Sequence, residues 1–170
     1  MTADNLADNA SITLDATVDF NLLTASADGA IAITESNAIT LTDIDTDDGS
    51  ISIIANGTIT ATDVMSGGAA GDFVSLTSNG GDIVVGVVNS AENVILDANG
   101  SILDDSANTD VDVTAAGTIS LNAGTDIRGE SAEVTTTDET NRFEVAAGSD
   151  VTATATNGNI RLASPGTITL

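Results

Sequence analysis

The chain has 170 residues, with 26 Asp and Glu against three basic residues, a formal net charge of -23, and no Lys, His, Cys, Trp or Tyr. Those absences exclude His-based acid–base pairs, thiol nucleophiles and the soft-ligand zinc, copper, haem and iron–sulfur sites. With Arg128, Arg142 and Arg161 as its whole basic complement, the chain lacks the footprint that nucleic acid or an anionic membrane requires.

So high a charge with 2% aromatic residues is one compositional mark of disorder. Yet 41% of the residues are hydrophobic and the mean hydropathy is +0.20. The apolar set is mostly Ile, Val, Leu and Ala, with Phe20, Phe73 and Phe143 as its aromatics. Such a set suits a narrow, repetitive β interior better than a core filled by rings. The length fits one domain, residues 1–170.

Along the chain, MTADNLADNASITLDA has neither a basic start nor an apolar run, so no targeting segment is read there. The absence of Cys fits a secreted protein. From Asn9 onward a small residue leads repeatedly into alternating aliphatics: NASITL (9–14), GAIAI (29–33), NAITL (37–41), GSISI (49–53) and GTITA (57–61). GDIVV (81–85) follows, then GSIL (100–103), GTISL (117–121), GSDVTA (148–153), GNIRL (158–162) and GTITL (166–170). The run Ile83 to Val88 is far shorter than the ~18 apolar residues of a membrane helix, so no membrane insertion is expected.

The aliphatic anchors recur at separations near 8 and near 19 to 20: Ile12 to Ile31 is 19, Ile31 to Ile51 is 20, Ile39 to Ile59 is 20 and Ile83 to Ile102 is 19. A period of about 20 containing runs of period-2 alternation predicts an all-β, parallel β-solenoid. Its inward residues include Ile51, Ile53, Ile119 and Leu121, with Ser52 and Ser120 outward. Gly, Asn and Asp at 28–30, 47–50, 55–57, 78–82, 98–101 and 156–159 supply corners, because Gly and Asn accept positive φ and Asp or Asn bonds nearby amides. About eight coils and a rod of roughly 40 Å follow. Enlarged corners are expected at 65–71 and 128–142. The competing fold is an antiparallel β-sandwich, which the short spacing of 8, the constant phase of Gly-x-Ile and the scarcity of rings disfavour.

The G-[ST]-I-[ST]-[LA] units, best formed in GSISIIANGTITATD (49–63) and GTISLNAGTDIRGE (117–130), resemble the repeats of filamentous-haemagglutinin-type bacterial surface exoproteins and adhesins. The resemblance spans residues 9 to 170. It implies a right-handed parallel β-helix, secreted and displayed at the cell surface as a stalk or adhesive filament.

Carboxylates are the main chemistry on offer. TDIDTDDGS (42–50) concentrates Asp43, Asp45, Asp47 and Asp48, while Asp104 and Asp105, with Asp110 and Asp112, form a second cluster. Both are candidate Ca2+ ligands, because hard cations take several carboxylate oxygens. Neither fits an EF-hand: counting from Asp43 puts Gly49 at position 7 and Ile54 where the bidentate Glu belongs. No cofactor is required on this reading. The same acids equally serve as turn caps and solvated charge.

Rows of T-x-T, at Thr40/Thr42, Thr58/Thr60/Thr62, Thr135/Thr137 and Thr152/Thr154/Thr156, raise a calcium-dependent glycan- or ice-binding module as the alternative, although they share no single phase. A polysaccharide lyase or hydrolase, with Asp pairs and Arg128 or Arg142, is disfavoured because no Trp, Tyr or Lys is available for a substrate cleft. The strand pattern runs close to both ends, which predicts end-to-end stacking on neighbouring repeats or other copies. The expected role is a non-enzymatic, secreted structural or adhesive module that meets a glycan or host surface.

Overall fold

A computed structural model describes residues 1–5, 10–15, 22–68, 71–105, 111–129 and 142–165. The described residues form strands and no helix, stacked as a parallel β-solenoid of about six turns with about 22 residues per turn.

One sheet stacks β2 (Ile12–Asp15), β4 (Ile31–Glu35), β6 (Ile51–Ala55), β8 (Phe73–Ser78), β10 (Asn93–Ala98), β13 (Ile119–Ala123) and β16 (Val151–Ala155). The other begins with β1 (Thr2–Asn5), β3 (Leu22–Ala27), β5 (Ile39–Thr46), β7 (Ile59–Ser66) and β9 (Ile83–Ser90). Beyond β9 it divides: β11 (Ile102–Asp104) and β12 (Val113–Ala115) both pair with β9. The division persists, since β11 pairs with β14 (Ile127–Arg128) and β12 with β15 (Phe143–Ala147), which pairs with β17 (Leu162–Ala163).

The register explains the two spacings in the sequence. Ile12, Ile31, Ile51, Val74, Val94, Ile119 and Val151 form one column of paired residues. Ile39, Ile59, Ile83, Ile102, Ile127 and Ile160 form another. The short spacing carries the chain from the first column to the second within a turn, and the long one separates members of a column. Through β4 the burial alternates strictly, with Ile31 and Ile33 inward and Ala32 and Thr34 outward, as one-sided strands require.

Corners stack as well as strands. The Gly57 amide donates to the Asn37 carbonyl, Gly100 to Gly81 and Gly117 to Glu92, so the ladder of backbone bonds continues around the bends. That closeness demands glycine at Gly49, where a Cβ would lie 2.5 Å from the Ala30 nitrogen of the previous turn.

Turn length, and therefore turn number, departs from the uniform period of 20 residues and the eight coils expected from it. Ile12 to Ile31 spans 19 residues, but Ile119 to Val151 spans 32. The extra residues fall on one side, after the second column, while the step from the first column to the second stays at 8 or 9 (Ile31 to Ile39, Val74 to Ile83, Val151 to Ile160). Six turns at ~4.8 Å give a body roughly 30 Å long. The expected loop at 65–71 begins later, at Gly67, since Met65 and Ser66 complete β7; Gly68 and Gly71 adopt φ of 104° and 116° there. Residues 130–141 of the second expected loop lie outside the described residues, and Arg128 belongs to β14.

Candidate metal centre

The carboxylates sort into three environments. In the first, acids sit at corners and accept amides from the next turn. Ser101 N donates to Asp82 Oδ1 at 2.7 Å and Asn159 N to Asp126 Oδ1 at 2.8 Å, while Asp82 N donates to Thr58 Oγ1 at 3.3 Å and Asp126 N to Ser101 Oγ at 3.4 Å. Thr58, Asp82, Ser101, Asp126 and Asn159 thus form a ladder of side-chain caps running along the solenoid. These bonds join successive turns, while the buried Glu35 caps its own corner as the sequence leads one to expect, its Oε1 accepting the Ser36 and Asn37 amides at 2.7 and 3.2 Å.

The second environment is the outer surface of β5 and β7. Asp43 and Asp45 belong to β5, and Asp47 and Asp48 to the corner after it. The Asp45 carboxyl is pushed up to about 6, first by partial burial and then by Asp43, Asp63 and Asp47. Burial and the Asp43 charge also raise Asp63. Asp43, Asp45, Asp47 and Asp48 do not bring three oxygens to the distances of a shared cation.

The third environment is mostly buried, with Glu144 half-buried at its edge. Among the described residues, Asp104, Asp112 and Glu144 each place a carboxylate oxygen within 4.8 Å of the other two. Asp104 ends β11, Asp112 immediately precedes β12 and Glu144 lies in β15. Asp104 is buried and Asp112 is fully so. Asp104 pairs with Val85, which continues the interior column of Leu41 and Ala61, so a carboxylate stands where the preceding turns carry aliphatics. The Glu144 amide donates to Asp112 Oδ2 at 2.6 Å, and Asp112 Oδ1 has no hydrogen-bond partner.

Burial pushes the Asp112 carboxyl up to about 8, against the opposing pull of the Glu144 amide; the charges of Asp104 and Glu144 and the approach of the Asp104 carboxyl, which shares the proton of the acid form, add to the rise. Chemically, three converging oxygens in a poorly solvated site hold either a proton or a hard cation.

Of the acids singled out in the sequence, Asp104 and Asp112 enter this group. Asp105 instead lies over Gly86, with Oδ2 at 2.8 Å from where a Cβ would stand. Asp110 lies outside the described residues. Glu144 was not anticipated. In F-E-V (143–145) an acid between two apolar residues reads as solvent-facing, and only the register of β12 against β15 reveals its neighbour.

Elsewhere, Thr77, Asn79, Asp97, Asn99, Asn122 and Thr156 line a shallow groove of about 320 Å³. The outward Thr rows are interrupted: Thr40 pairs with Thr60, but Val84 follows, and Ile54 separates Thr34 from Thr77. No helix among the described residues is long and apolar enough to cross a membrane. Comparison with family models, with curated proteins and with solved structures finds no match to this chain.

Proposed function

We propose that the chain is a non-enzymatic structural and adhesive module, a stiff acidic solenoid segment secreted to a bacterial surface or an extracellular filament, of the filamentous-haemagglutinin type its repeats resemble. The observation that supports this reading most is the pair of unbroken aliphatic columns, one from Ile12 to Val151 and one from Ile39 to Ile160. The strands between the sheet edges are clamped by the turns before and after them, and burying each interior Ile contributes about 1.5–3 kcal/mol. The structural content of the chain is thus spent on continuity along one axis.

The surface is consistent with that role. Acids and short polar side chains cover the outside, and the high negative charge keeps neighbouring segments soluble and apart. On this reading the module works beside further coils or other copies, which pair with the edge strands of its sheets. Exposing immobilised protein to a glycan panel, while assaying the same polysaccharides for new reducing ends or unsaturated sugars, tests the proposal. Retention of glycan without product is expected, and catalytic product formation would overturn it.

A further inference from the structure

Three converging acids are not in themselves a site, since exposed carboxylates gather on many acidic surfaces. The group formed by Asp104, Asp112 and Glu144 differs in two respects. Its two aspartates are buried and Glu144 is half-buried, with Asp104 standing in the column of Leu41, Ala61 and Val85. It also contains an unsatisfied atom: Asp112 is fully buried, its Oδ2 accepts the Glu144 amide, and its Oδ1 has no partner. A buried carboxylate oxygen without a partner is strongly disfavoured, and two further carboxylate oxygens, of Asp104 and Glu144, converge on the same place.

The spacing points to what satisfies it. Two oxygens bound to one Ca2+ at about 2.4 Å lie at most about 4.8 Å apart. One oxygen from each of the three residues meets that limit. Arg128, on the neighbouring strand β14, donates to the Gly129 carbonyl at 3.1 Å and stands 3.7 Å from the Asp126 carboxylate.

We propose that Asp104, Asp112 and Glu144 hold one Ca2+ ion that joins two successive turns of the solenoid at the place where the second sheet divides. An all-oxygen, carboxylate-rich set is the donor chemistry of a hard cation, and Ca2+ accepts irregular geometry completed by carbonyls and water. The location gives the ion a structural task. Where β9 is one continuous strand, the following turn has β11 and β12, with eight residues between Asp104 and Val113. The next has β14 and β15, separated by an insertion of fourteen. Asp104 comes from the first side of the division, and Asp112 and Glu144 from the other. The ion ties these half-strands where the ladder between them is lost. This inference is independent of the adhesive role.

The test is equilibrium dialysis against Ca2+ at fixed ionic strength, with melting in Ca2+ and in chelator, for the wild type, Asp112→Asn, Glu144→Gln and the surface control Asp43→Asn. One tight site per chain and a Ca2+-dependent rise in melting temperature are expected in the wild type and in Asp43→Asn. Either interior substitution should weaken the tight site by roughly tenfold or more, because affinity follows ligand charge. If Asp112→Asn does not fold, Glu144→Gln carries the comparison. No tight site in the wild type, or an equal response in the wild type and both interior variants, would overturn the proposal.

Discussion

The Glu144 amide donates a 2.6 Å hydrogen bond to Asp112 Oδ2 across 32 residues of sequence, fastening the strand that follows one insertion to the strand that follows the next. The bond leaves Asp112 fully buried beside two further acids. At the proposed Ca2+ site a proton and the cation would compete for the same oxygens.

The pH response of the metal-free protein follows from the sign of the shifts. Asp112 is raised to about 8 and Asp45 to about 6, both from 3.8 and both led by burial. A raised carboxyl binds its proton more tightly in the folded state, so its contribution to stability is full below the unfolded value and is lost as pH climbs through the folded one. In chelator, the melting temperature should rise as pH falls from about 9 to 5, helped by relief of the overall negative charge. Circular dichroism melts check this, and a decline over that range would contradict it.

Asp104 occupies a column whose other members include Leu41, Ala61 and Val85. Replacing a buried charge with a well-packed aliphatic is often neutral or stabilising. Asp104→Val should therefore melt no lower than the wild type in chelator, and should lose the response to Ca2+. Paired melts with and without the ion provide the measurement.

Ile83 is fully buried in the isoleucine column, whereas Ile54 on the outer surface of β6 is 39% exposed. Ile83→Ala should cost about 2–5 kcal/mol in denaturant unfolding, from lost transfer energy and the cavity left behind. Ile54→Ala should fall within about 0.5 kcal/mol of the wild type. Similar losses at the two positions would contradict the assigned interior.

Asp82 accepts the Ser101 amide at 2.7 Å in the corner ladder. Asp82→Ala leaves that amide without its acceptor, at an expected cost of about 1–3 kcal/mol. Hydrogen exchange at Ser101 should speed up in the variant while exchange at Ile51, two turns earlier, stays unchanged.

Much of the fold is legible in the sequence because the isoleucines obey geometry directly. Ile12 with Ile31, Ile31 with Ile51, Ile39 with Ile59 and Ile83 with Ile102 are spaced as the pairs they form. Strands without a Gly-[ST]-Ile start, such as Phe73–Ser78 and Asn93–Ala98, escape that pattern, and their partners show only in the register. The turn count escaped because insertions lengthen later turns without disturbing the columns. The interior acids were only half legible. In V-D-V (111–113) alternation would send Asp112 outward, but Asp112 and Val113 are both buried next to the division of the sheet. Alternation reads one strand at a time, and this site is built between turns.

The central claim is that the chain is a mechanical element, and pulling a single molecule between its termini tests it most directly. The account predicts discrete steps, with each released turn of about 22 residues adding about 75 Å at ~3.4 Å per residue, and a step near Asp112 and Glu144 that shifts to lower force in chelator. Smooth extension, with the elasticity of an unstructured chain and no steps, would contradict it.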